Sequence, residues 1–259
     1  MHDTETETAP LLGSKGQASR KGIRRYLIER VDGHYAPLPL LLCCFLTGLI
    51  DAASYNTWMV FMSMQTGNTI FLALSTAKLP VGSDSLKWAR SGVSILSMML
   101  GSFIAGRVNA AVGLTRRSSL VASFLLQALC ICITAVLVQT DAVTDTNPTD
   151  KIVLVAIPFL AAQSGAQIAT AKSLGFSELP TTVLTSTYND LVSDINLLAG
   201  DNSTRDRRVA SFVMMMLGAI AGAWLIKGTE AFTTVLWLGA AIKVLLAFSW
   251  LLFPAEPEK

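Results

Sequence analysis

The sequence predicts an all-α, polytopic helical membrane protein, and three features carry that prediction. Of its 259 residues 52% are hydrophobic and only 15% charged, where soluble domains carry about 25% charged residues. Several uninterrupted apolar runs approach about 20 residues, the length that crosses a bilayer's hydrocarbon core. Between these runs lie two segments that are apolar in part but broken by polar residues, which lipid tolerates only beside a cavity or packed protein.

Taken in order, residues 1–36 are polar and rich in Thr, Glu, Lys and Arg. They read as a disordered cytosolic tail without a cleavable signal peptide. Within it, Glu7-Thr8-Ala9-Pro10-Leu11-Leu12 fits the acidic dileucine pattern read by sorting adaptors. Such a signal would route the protein to an endosomal or vacuolar membrane, the plasma membrane being the other destination. Lys15, Arg20, Lys21, Arg24, Arg25 and Arg30 precede the first span, so the N-terminus is expected in the cytosol.

Residues 37–254 form the expected transmembrane domain, and 255–259 a short C-terminal tail. The clear spans are 38–56, 91–112, 120–140, 152–171, 209–227 and 231–253. The segment 58–77 is broken by Gln65-Thr66-Gly67-Asn68-Thr69, and 181–200 carries Thr185, Ser186, Thr187, Asn189, Asp190 and Asp194. Six to eight segments therefore cross, and the distribution of basic residues fits either number. The string Arg90-x-x-x-Ser94-x-x-x-Met98-Met99-Leu100-Gly101 returns as Arg207-x-x-x-Ser211-x-x-x-Met215-Met216-Leu217-Gly218, a shift of 117. Two internal repeats are expected, one over about 37–140 and one over about 151–254. With six spans they would insert in opposite senses, as in many secondary transporters.

Asp51 is the sharpest functional candidate, because a carboxylate within a span is costly unless it faces a cavity or a partner. Thr47, Asp51, Ser54 and Tyr55 share one helical face, and Gln163, Gln167 and Thr170 share another. Asp51 and Asp190 suit a cation or a proton. Ser54, Gln65, Thr66, Gly67, Asn68, Gln163, Gln167 and Thr185 could replace a solute's hydration. The expected arrangement brings Asp51, Thr66 and Thr185 to one cavity between the repeats. A bland role stands beside it, in which Asp51 caps the following turn or pairs with Lys243, itself equally able to snorkel to the surface. Ser97, Gly101 and Ala105, and Gly218 with Gly222, read as faces of close helix approach. Arg116, Arg117, Arg205, Arg207 and Arg208 read as headgroup anchors, Asp194 as interfacial, and the sequon at Asn202 as cytosolic and unused.

The only histidines are His2 and His34, which excludes a bis-histidine haem or a histidine-rich metal site. Cys43, Cys44, Cys130 and Cys132 fall inside spans and read as packing residues. No cofactor, metal or nucleic acid is expected, and no catalytic constellation stands out. The partners implied are the bilayer, a small molecule or ion, and a sorting adaptor at the tail, with the oligomeric state open. The functional expectation is a secondary transporter or permease, cation- or proton-coupled through Asp51. A non-transporting scaffold or assembly factor is the alternative, and a membrane enzyme a third reading.

Gly48-Leu49-Ile50-Asp51-Ala52-Ala53-Ser54, followed by Met64-Gln65-Thr66-Gly67-Asn68-Thr69, resembles the YoaK-like membrane proteins of bacteria and fungi, a domain of unknown function. The resemblance covers about residues 38–253. It departs in the second half, where Thr185-Ser186-Thr187 stands in place of a Thr-Gly turn. It implies a small multi-span membrane protein and supplies no substrate.

Overall fold

A computed structural model describes Gly22 and residues 26–256, apart from 81–85, 114, 148, 177, 180 and 183. The described chain is helical, without strands. Its helices are α1 (Pro37–Trp58), α2 (Gln65–Thr76), α3 (Lys87–Val112), α4 (Arg117–Gln139), α5 (Val153–Ser173), α6 (Thr185–Val192), α7 (Ser203–Thr229) and α8 (Phe232–Ser249). The six longest are apolar and long enough to cross a membrane. The 12 residues of α2 and the 8 of α6 extend roughly 18 and 12 Å, far short of the ~30 Å hydrocarbon core.

With the six long helices taken as crossing, backbone pairing bears on whether the short ones cross too. Val31 N–H donates to the Thr115 carbonyl at 2.8 Å and Arg117 N–H to that of Glu29 at 3.1 Å. Asp32 N–H donates to the Pro254 carbonyl at 3.0 Å and Glu256 N–H to that of Arg30 at 2.9 Å. The segment before α1, the α3–α4 link and the chain after α8 thus form one clasp on one face. Points on the same face are joined by an even number of crossings. Helices α1 and α3 supply two, and α4, α5, α7 and α8 supply four. A crossing by α2 or by α6 would make either number odd, so both short helices turn back and six spans remain.

Helix α1 packs along α7, α3 along α5 and α4 along α8, while α2 lies on α3 and α6 on α7. Glycines allow the first two contacts. A Cβ on Gly48 would collide with the backbone of Met215, and one on Gly165 with that of Met98. A Cβ on Gly101 would strike Ala162, and one on Gly218 would strike Phe45. Every partner in one pair of contacts lies 117 positions from its counterpart in the other. These four contacts place backbone against backbone, the geometry that small residues permit between membrane helices. Between α4 and the end of α8 the Phe124 and Trp250 rings stand 5.7 Å apart. The outer faces of α3 and α7 expose Leu96, Met99, Leu100 and Phe103, and Val213, Met216, Leu217 and Ile220, an apolar surface suited to lipid.

Most of the arginines hold protein rather than headgroups. Arg117 is buried and its Nη1 donates to the Leu251 carbonyl at 3.1 Å and to Tyr26 Oη at 2.9 Å, tightening the clasp. Arg207 pairs with Glu178 at 2.8 Å and Arg208 with Asp194 at 3.5 Å, tying the loops around α6 to α7. Asp194 sits outside the spans, as expected.

Replacing Gly48 or Gly165 by Val should force the helices apart and cost about 2 kcal/mol or more. Gly92→Ala and Gly106→Ala, with no atom within 4 Å of the new methyl, should leave the Tm unchanged in detergent. Cysteines at Arg116 and Asp201 should react with impermeant maleimide from the face that carries an N-terminal tag. Those at Lys78 and Lys151 should react from the opposite face, whereas eight crossings would exchange the positions of Arg116 and Lys151.

Candidate functional site

The site is built around the chain reversal that follows α1. Met59 adopts a left-handed φ of 57° and closes the helix with its N–H on the Tyr55 carbonyl. Residues 60–64 then fold back beside the last turns of α1. Their donors would be stranded in an apolar interior without a partner. Asp51 supplies it: Oδ1 accepts from Met62 N–H at 2.7 Å and Ser63 N–H at 3.0 Å, and Oδ2 accepts from Ser63 Oγ–H. Ser54 Oγ–H donates to the Asp51 carbonyl at 3.3 Å.

The Thr-Gly-Asn segment braces the same reversal. Asn68 accepts from Phe61 N–H at 3.1 Å and donates to its carbonyl at 2.7 Å. Ser94 of α3 adds a donor to that carbonyl at 2.7 Å, and Gln65 donates to the Met62 carbonyl at 3.0 Å. The Phe61 ring stacks on Tyr55 at 4.6 Å, and a Cβ on Gly67 would approach that ring to 2.9 Å. Ser54, Gln65, Gly67 and Asn68 therefore shape the turn. Thr66 is solvent- or lipid-exposed, and Thr185 and Asp190 are likewise exposed at α6. The expected convergence of Asp51, Thr66 and Thr185 is not what the fold builds. Both short helices turn back, and Thr66 and Thr185 fall on the exposed sides of first turns whose Asn68 and Thr187 are buried.

What does converge is a different set. Thr47 and Asp51 of α1, Ser63, the Gln163-Ser164 pair and Gln167 of α5, and Lys243 of α8 line one narrow hollow. It is closed, with no room for a water-sized sphere. Lys243 is fully buried and does not snorkel. It lies roughly 16 Å along α8 from Phe232 at 1.5 Å per residue. Its ammonium donates to Gln167 Oε1 at 2.6 Å, Gln127 Oε1 at 2.8 Å and Cys43 Sγ at 3.7 Å. The Phe124 ring centroid stands 5.0 Å away. All three donors are used, yet no carboxylate among the described residues lies within 4.0 Å. A carboxylate and an ammonium thus face one hollow, each held by its own neutral or backbone partners. Gln167 Nε2 also donates to Thr47 Oγ1 at 3.0 Å, joining α1 to α5 at this depth.

Sequence reasoning placed Asp51, Gln163 and Gln167 here through their shared helical faces. It missed Ser63, Gln127 and Ser94. Gln127 carried a usable signal, as an amide in the middle of the apolar run of α4, and Ser94 another through its place in the repeated string. Ser63 had none, because only the chain reversal brings it to Asp51. Glu7, Leu11 and Leu12 lie outside the described residues.

Replacing Asp51 by Ala strands three donors and should cost on the order of 3 kcal/mol. Hydrogen exchange should quicken at residues 61–63 first, whereas Asp51→Asn, which keeps an acceptor at Oδ1, should retain their protection.

A family profile described as "Protein of unknown function (DUF1275)" matches residues 39–249. The chain belongs to that family, which agrees with the resemblance to membrane proteins of unknown function. No curated protein and no solved structure matches.

Proposed function

Starting from a DUF1275 chain with six membrane-length helices, we propose that the protein is a secondary carrier of a small polar solute. The hollow between α1, α5 and α8 is its central site. One observation carries this reading: an acidic and a basic side chain, Asp51 and Lys243, both buried inside the bundle, line the same narrow space with Gln163 and Gln167. Ionisable groups at such depth are expensive and mark solute or ion pathways. The hollow has no room for a water-sized sphere, so solute entry requires α1, α5 and α8 to part.

The glycine contacts related by a shift of 117, together with three spans per half, support reading the halves as inverted repeats. Helices α1 and α5 then run in opposite senses and meet near the midplane, where carriers of this build bind solute. Asp51 is the group we assign to coupling with a cation or proton. The clasp face is assigned to the cytosol on the basic residues before α1. Glu7, Leu11 and Leu12 would direct the protein through a sorting adaptor to an endosomal or vacuolar membrane.

A scaffold is the second reading, favoured by the same carboxylate's full engagement with the turn at Met62 and Ser63. Flux separates the two. In proteoliposomes loaded with a mixed metabolite extract, the wild-type protein should move at least one solute. Asp51→Asn and Lys243→Met should slow that movement by at least about tenfold, roughly 1.4 kcal/mol, while both remain monodisperse. Undiminished flux in Asp51→Asn would refute coupling through Asp51, and absence of any exchange by the wild type would favour the scaffold.

A further inference from the structure

Two grooves open on the lipid-facing flanks where neighbouring helices barely touch, α3 beside α4 and α7 beside α8. The first, between α3, α4 and α5, holds about 400 Å³, within the range of small-molecule sites. Ile104, Val108 and Leu126 are among its apolar lining, and Asn109, Ser119, Ser123, Gln127 and Gln163 are the polar residues that border it. The second, between α1, α7 and α8, holds about 450 Å³ and is apolar throughout except for Ser249. The second is an apolar groove of similar size against which the first can be compared.

Two of these polar residues carry buried oxygens with no partner among the described residues, Ser119 Oγ and Gln163 Oε1, and Gln163 is the one shared with the central hollow. Gln163 is 4% exposed, its amide N–H donates to Ser164 Oγ at 3.0 Å, and its Oε1 meets no donor among the described residues. A buried acceptor left without a donor is destabilising. Beside it Gln127 Nε2 donates to Ser123 Oγ at 3.2 Å, and that hydroxyl pairs with Thr170 Oγ1 at 3.2 Å. No Asp, Glu, Lys, Arg or His lines the groove, so a charged molecule would lose its hydration there without a counter-charge.

We infer that this groove binds an uncharged amphiphile taken from the bilayer, an apolar body bearing a hydroxyl or amide whose hydrogen is donated to Gln163 Oε1. Gln163 also lines the central hollow, so the bound donor sits one side chain away from Lys243 and Asp51. The inference does not depend on solute movement, and its readout is binding alone.

The probe is a long-chain alcohol carrying a photoactivatable diazirine, applied to the full chain in phosphatidylcholine vesicles, with adducts mapped by mass spectrometry. Adducts should concentrate on α3, α4 and α5, and unlabelled hexadecanol should compete where hexadecane does not. Gln163→Leu should reduce labelling by about fivefold, the effect of one neutral hydrogen bond. Leu126→Trp alters a side chain that is 61% exposed, so it spares the core and should block the groove by filling it. Equal labelling of the second groove, equal competition by hexadecane, or labelling unchanged in both variants would overturn the inference. Should Gln163→Leu fail to fold, Leu126→Trp and the competition decide by themselves.

Discussion

Six spans are possible because one carboxylate satisfies a backbone that lipid cannot. After α1 the chain reverses without crossing, and its exposed amides need acceptors from within the protein. Asp51 provides them at Met62 and Ser63, and Asn68 with Ser94 provides for Phe61. That reversal seats α2 on α3, sets the direction in which α3 returns, and so fixes which faces of α3 and α5 meet. The glycine contacts and the central hollow follow from it.

The two halves solve the same problem with different chemistry. The first turn is held by a carboxylate, an amide and hydroxyls packed under stacked aromatic rings. Among the described residues of the loop before α6, Glu178 pairs with Arg207. An exposed or partly exposed ion pair stabilises less than buried hydrogen bonds and weakens with salt. Lys243, the buried basic residue of α8, reaches across to Gln127 of α4.

How much of this could be read beforehand follows from what hydropathy and periodicity measure. Run length identified the six long helices, and the repeated Arg-Ser-Met-Met-Leu-Gly string marked where backbones approach at Gly101 and Gly218. Helical spacing grouped Gln163 with Gln167 and set Asp51 apart. Crossing number stayed open because composition cannot tell a short helix that turns back from a polar one that crosses. Only the hydrogen bonds joining Val31, Thr115 and Pro254, distant in sequence, resolve it. Thr66, Thr185 and Asp190 were misplaced relative to the hollow for the same reason, since a polar break belongs outside when its helix stops short. Lys243 was visible as a cation in an apolar run, but its partners Gln127 and Gln167 depend on how α4 and α5 lean against α8.

The clasp has one further consequence. Val31 and Ala255 are bridged directly, so the ends of the folded domain are neighbours rather than opposite poles. The link between α4 and α5 is exposed at Thr146 and Asn147, on the other side of the bilayer. Joining the ends and opening the chain there would reverse the order in which the halves emerge from the ribosome while keeping every interhelical contact. Connectivity in this protein is thus incidental to its architecture: the bundle is specified by pairwise fits between helices, and the thread that strings them could be rerouted.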